Sequence, residues 1–190
     1  MLAAIPKAAA SALDVGCGEG LLTRELRRRV RHVVGIDRHE PSLAVARSQP
    51  QTDVTYVLGD FMNHPFEPET FDLVSSVASL HHMDVGPALE RMSSLLRPGG
   101  RLAVVGLARH RASDLPYGLA GHVVDRYLKL ARTEWEDSAP RVWPPPMTYR
   151  ETRRVAGSVL PGATYRRHVL WRYSLVWAKP ARAGARRAYS

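Results

Sequence analysis

Apolar residues along this chain fall into short runs separated by stretches of helical spacing. Ser11 to Val15 is a brief apolar run ending in glycine, the pattern of a buried parallel strand. After the turn Gly16 to Gly20, Leu21, Leu22, Leu26 and Val30 recur at helical intervals, predicting a helix over Leu21 to Val30. The alternation then repeats. Strands are expected at His32 to Ile36, Val54 to Leu58, Phe71 to Val77 and Arg101 to Leu107, the last preceded by a turn at Arg97 to Gly100. Helices are expected at Pro41 to Ser48 and Val85 to Leu96. Beyond Leu107 the rhythm breaks. Leu115 to Ala131 and Thr148 to Val159 have helical spacing, and Glu134 to Pro146 is irregular. Tyr165 to Leu170 and Arg172 to Ala178 are rich in β-branched and aromatic residues and predict two paired strands.

Strands alternating with helices define an α/β protein, a mostly parallel sheet with helices on both faces. One domain is expected over residues 1–179, with a ligand-binding core at 11–107 and a cover at 108–147. A basic, disordered tail is expected at 180–190. A chain of 190 residues can bury about 70% of the surface its unfolded form exposes.

Charge changes this picture only locally. The net charge of +9 lies in the last part of the chain: residues 138–190 hold 11 Lys and Arg against the single acid Glu151. Arg outnumbers Lys 24 to 3, a bias that GC-rich coding explains as well as phosphate contact does. Nucleic acid is therefore the less favoured partner. No apolar run approaches the roughly 20 residues a membrane span needs, so no membrane partner is expected. The lone Cys17 excludes an internal disulfide and a multi-cysteine zinc site, and no metal is expected. Without a secretory signal, the default location is cytoplasmic.

The chemistry starts at Ala12-Leu-Asp-Val-Gly-Cys-Gly-Glu-Gly, where glycines alternate between a strand and a helix. A dinucleotide fingerprint requires a third glycine at position 21, where this chain has Leu. Glu19 would also oppose a pyrophosphate. A ligand carrying ammonium and sulfonium charges suits the acids here better. Asp37 closes the second strand, where a carboxylate can accept both hydroxyls of a ribose. Asp60 closes the third, with Phe61 beside it for an adenine edge and ring. Asp is also a common turn and cap residue. The three acids and the glycine turn together, in this order, favour the ligand reading.

With the segments LDVGCGEG, VVGID, LGDF, FDLVSSVASLHHM, LLRPGGRL and RYSLVWAKP, the chain resembles the class I S-adenosylmethionine-dependent methyltransferases over residues 11–178. The resemblance implies a Rossmann-like three-layer sandwich, seven strands with the last antiparallel, and S-adenosylmethionine as cofactor with S-adenosylhomocysteine as product. It implies that Asp14, Gly16, Cys17 and Gly18 line the methionine end and that Asp37 holds the ribose. Arg38 would lie beside the adenine, Gly59, Asp60 and Phe61 at its edge, and Val77 near the amino group. Family members usually have a longer helical lead-in than the 13 residues that precede Asp14.

Methyl transfer gains most from alignment, so the acceptor side is less legible. His81 and His82 are the candidate bases, and adjacent positions at a helix start let at most one face the methyl group. Asp84 stands just beyond. His110, Tyr117, Trp135 and Trp143, with His122, are expected to wall a substrate pocket. Trp171, Tyr173 and Trp177 alternate and should pack on one sheet face. The expected activity is methylation of a small organic acceptor at oxygen, nitrogen or carbon, with secondary metabolism as its setting, by a monomer or homodimer. The alternatives are an RNA-modifying methyltransferase using the basic C-terminal part, or a methyltransferase-fold protein that binds or catalyses something else.

Overall fold

A computed structural model describes residues 2–49, 51–109, 144–168 and 171–182. Seven strands form one sheet: β1 Ser11–Val15, β2 His32–Asp37, β3 Val54–Leu58, β4 Phe71–Val77, β5 Leu96–Leu107, β6 Thr164–Arg167 and β7 Arg172–Ala178. Among the described residues four α-helices accompany them: α1 Leu21–Arg27, α2 Glu40–Ser48, α3 Val85–Leu95 and α4 Tyr149–Val159. The strand order is β3-β2-β1-β4-β5-β7-β6. β1 to β5 pair in parallel, while β7 runs antiparallel to both β5 and β6. The expected sheet, with its reversed last strand, is the one observed.

Chain order explains the layers. From β1 the sheet grows through β2 to β3 on one side, and through β4 to β5 on the other. Right-handed crossovers therefore place α1 and α2 on one face and α3 on the opposite face. Two apolar clusters follow. Leu26 and Val30 pack with Ala12, Val33, Leu73 and Ala103 on the α1 face. Leu89, Met92, Leu95, Ala156 and Leu160 pack with Leu13, Val74, Leu102 and Val104 on the other.

Boundaries differ from expectation by more than one residue in three places. α1 ends at Arg27, three residues early, where the Arg28, Arg29 and Val30 amides all donate back to Leu26 O. β5 begins at Leu96 and absorbs the expected turn: Leu96 pairs with Phe71, and a register shift follows before Leu73 pairs with Arg101. β6 ends at Arg167, and residues 169–170 lie outside the described ones. Thr148 and Glu151 form a reciprocal capping box that starts α4. Tyr173 and Trp177 share a face of β7 with buried Leu175, while Trp171 stands before the strand at φ +59°. Arg182, inside the stretch expected to be a disordered tail, ion-pairs with Glu69 at 2.6 Å.

Candidate functional site

The glycine turn is folded onto the end of β2. Gly16 and Cys17 N–H groups both donate to Ile36 O, at 2.8 and 3.1 Å, and Gly18 N–H donates to Asp37 Oδ2 at 2.8 Å. A loop that binds phosphate keeps such amides free. Here three are occupied, which excludes a pyrophosphate cradle more firmly than the missing third glycine did. The glycines also divide by role. At Gly16, φ is +69° and a side chain would collide with the Ser79 hydroxyl, so the protein's own packing requires glycine. At Gly18, φ is +52° and a Cβ would meet nothing within 4 Å. That opening faces the cavity and is room for a ligand.

Asp14 is 1% exposed and held by two hydroxyls, Thr23 Oγ1 at 2.7 Å from α1 and Ser75 Oγ at 3.1 Å from β4. Burial, reinforced by the negative charge of Asp37, pushes its pKa up to about 6 against the hydrogen bonds of Thr23 and Ser75. The folded value exceeds the unfolded one, so the associated stability is fully present below about pH 4 and is lost as pH rises through about 6. The ionised carboxylate then costs the ligand-free fold roughly 3 kcal/mol at neutral pH, as an order of magnitude. Asp14→Asn is expected to raise the urea midpoint at pH 8 and to bring no such gain at pH 4. Equal shifts at both values would show that Asp14 is not strained by burial. The Cys17 thiol is likewise pushed up, by burial first and then by Asp14 and Asp37, so it stays protonated.

Asp37 accepts Gly18 N–H on one oxygen and His39 N–H, at 2.9 Å, on the other. Each oxygen keeps a lone pair for a further donor. Asp60 does what turn acids do, accepting Met62 N–H at 2.9 Å and the Asn63 amide at 3.0 Å, and it also lines the cavity. Phe61 is buried beneath Arg91 of α3, whose guanidinium lies 5.4 Å from the ring. Arg91 also donates to the Phe61 carbonyl at 2.7 Å and to the His64 carbonyl, strapping the loop after β3 in place. No sequence pattern pointed to Arg91.

After β4 the chain passes Ala78 at φ +53° into a short 3-10 turn, Leu80–His82. The turn separates the two histidines, although their rings remain 4.2 Å apart. His81 is 8% exposed and does not reach the cavity; burial, with His82 beside it, pushes its pKa down to about 4. His82 is half-buried and lines the cavity. Its pKa is lowered by burial and by Arg38, with Asp37 opposing. Both rings are neutral at pH 7, and among the described residues neither Nδ1 has a hydrogen-bond partner.

These parts enclose one cavity of about 710 Å³ across the carboxyl ends of β1, β2 and β4. All ten residues expected at a cofactor line it: Asp14, Gly16, Cys17, Gly18, Asp37, Arg38, Gly59, Asp60, Phe61 and Val77. Ser42, Ser79, Met83 and Leu22 on its wall, and the exposed Leu21, carry no signal in the sequence. Leu21 is 52% exposed and Val77 40%, so the opening has apolar lips. His110, Tyr117, Trp135 and Trp143 lie outside the described residues, as does the helix expected at Leu115 to Ala131. Among the described residues no group of His, Cys, Asp and Glu could hold a metal, and no helix is long and apolar enough to cross a membrane.

A glycine turn locked to an acid-ended second strand, beneath a cavity at the carboxyl edge of a sheet ordered 3-2-1-4-5-7-6, defines a class that sequence comparison confirms. The chain belongs to the class I S-adenosylmethionine-dependent methyltransferases. A methyltransferase domain model matches residues 13–104. Over 180 residues the chain is 36% identical to an uncharacterized methyltransferase of Mycobacterium tuberculosis, covering 94% of this chain and 91% of that one. It is 39% identical over 112 residues to the 2-phytyl-1,4-naphtoquinone methyltransferase of Thermosynechococcus vestitus, covering 56% of this chain and 50% of that protein. The fold is similar to that of an S-adenosylmethionine-dependent methyltransferase from Mesorhizobium loti, with TM-score 0.64 at 20% identity over 94% of this chain and 95% of that one.

Proposed function

We propose that this chain transfers the methyl group of S-adenosylmethionine to a hydroxyl oxygen on an apolar aromatic acceptor, with His82 taking the proton. The observation that carries this reading is the placement of His82: of the two adjacent histidines it alone lines the cavity, with its ring held neutral. An oxygen acceptor must lose a proton, which is where a general base contributes.

The residues present fit the cofactor. Gly18 leaves open space where a side chain would intrude, Asp37 retains lone pairs for ribose hydroxyls, and about 710 Å³ lies within the range of small-molecule sites. Asp14, Gly16 and Cys17 would wall the methionine end, with Arg38, Gly59, Asp60 and Phe61 around the adenine and the Val77 backbone at the amino group. When bound, the cofactor supplies a methyl group already activated on sulfonium. The chain's own task is then alignment at the mouth and removal of one proton. Leu21, Val77 and Met83 favour an apolar acceptor there, and the resemblance to a quinone methyltransferase supports a ring of that type.

Deuteriomethyl-labelled cofactor offered with hydroquinones, phenols, amines and their O-blocked analogues tests the assignment by mass spectrometry. A labelled methyl ether from the free hydroquinone or phenol, and no product from the O-blocked analogue, is expected. Label on nitrogen or ring carbon would overturn the oxygen assignment.

A further inference from the structure

Among the described residues no Lys or Arg of the C-terminal part lines the cavity, and their placement is not random. Arg109 follows β5, where its N–H donates to Met147 O at 2.8 Å and it bridges to Thr148, the cap of α4. That sets Arg109 beside Arg150 in the first turn of α4. Ala108 N–H donates to Trp171 O at 2.9 Å, and β5 pairs Leu107 with Arg172, so Arg172 lies next in line. His168 N–H donates to Arg172 O at 2.9 Å, and Arg166 is two residues back on the same face of β6. One continuous run of backbone contacts thus gathers Arg109, Arg150, Arg166, His168 and Arg172 at the carboxyl edge of the sheet.

All five are exposed, and none of the four arginines has an ion pair among the described residues. The neighbouring acid, Glu151, is taken up in the capping box. Arg150 moreover sits at a helix N-terminus, where a cation opposes the helix dipole and an external anion is favoured. The cavity opens on this same edge, with the apolar Leu21 and Val77 at its mouth.

We infer that this arginine cluster docks the carboxyl edge, and with it the cavity mouth, onto an anionic phospholipid surface. Peripheral attachment by clustered arginines needs no spanning helix, so it goes beyond the expectation of no membrane partner. Exposed apolar lips on the same edge as the cations suit a bilayer better than RNA. A nucleic-acid face would instead offer exposed aromatic rings for base stacking, and beside this patch Tyr149 and Tyr173 are buried in the core while Tyr165 and Trp171 are half-buried. The inference rests on the proposed apolar acceptor only in part, because an acceptor of that class would partition into the bilayer.

Flotation of the full chain with phosphatidylcholine vesicles, with and without phosphatidylglycerol, tests it without turnover. Binding to the anionic vesicles is expected, with loss as salt rises from about 0.1 to about 1 M and screening shortens to about 3 Å. Replacing Arg150, Arg166 and Arg172 together with Gln should weaken that binding roughly 100-fold. Calorimetry with S-adenosylhomocysteine should give the same affinity for both proteins, showing that the variant is folded. No preference for anionic over neutral vesicles, or unchanged binding by the triple variant, would overturn the inference. Tighter, salt-dependent binding of a short RNA through the same arginines, without vesicle binding, would replace it with a nucleic-acid face. Methylation at nitrogen or carbon would sink the proposed acceptor and leave the flotation result standing.

Discussion

Replacing His82 with Gln is expected to lower kcat roughly 100-fold or more while cofactor affinity changes little, since general-base catalysis contributes about 100- to 10,000-fold. The ring lines the cavity, and burial together with Arg38 holds it neutral. Its lowered pKa also fixes the pH dependence. For the wild type, kcat should rise with pH through a value below 6.5 and then level off. The variant should lose that rising limb. His81→Gln provides the contrast: it removes a core ring, lowers stability, and leaves kcat of the folded protein near that of the wild type. A His82→Gln enzyme within threefold of wild type would show that alignment alone suffices.

Gly16→Ala is the second large effect, and it arises from the loop rather than the chemistry. The residue stands at φ +69°, where a Cβ costs about 1–2 kcal/mol, and the new methyl would overlap the Ser79 hydroxyl. Overpacking of this kind adds about 1–3 kcal/mol. A loss of roughly 2–5 kcal/mol is expected in urea unfolding, together with loss of cofactor binding. Removing Ser79 as well should separate the two causes, with Gly16→Ala/Ser79→Gly recovering the overpacking part and retaining the backbone part. If the double variant is no more stable than the single one, Ser79 is not what confines Gly16.

The parts of the site that were legible in the sequence are those fixed by local backbone chemistry. Asp37 ends β2, Asp60 lies just past the end of β3, and Gly16 and Gly18 turn the chain, so spacing alone places them on one edge. The division of labour among them was not legible. Nothing in the sequence separates Gly16, required by Ser79, from Gly18, open to the cavity, because the difference lies in a residue 63 positions on. His81 and His82 likewise differ only in how a single 3-10 turn rotates them, one into the core and one into the cavity. Arg91 was missed for the same reason: its partners, the Phe61 and His64 carbonyls, are backbone groups that carry no sequence signal. The β5 boundary was misjudged because Arg97 to Gly100 has turn composition, yet Leu96 still finds Phe71 across a bulge.

The central claim is that the cavity over β1, β2 and β4 holds the cofactor through Asp37. Titration calorimetry with S-adenosylhomocysteine tests it most directly, on the wild type and on Asp37→Ala. Binding to one site is expected, weakened about 5- to 150-fold in the variant, the scale of roughly 1–3 kcal/mol for hydrogen bonds to a charged group. Absence of binding by the wild type at millimolar ligand, or an unchanged dissociation constant in Asp37→Ala, would contradict it.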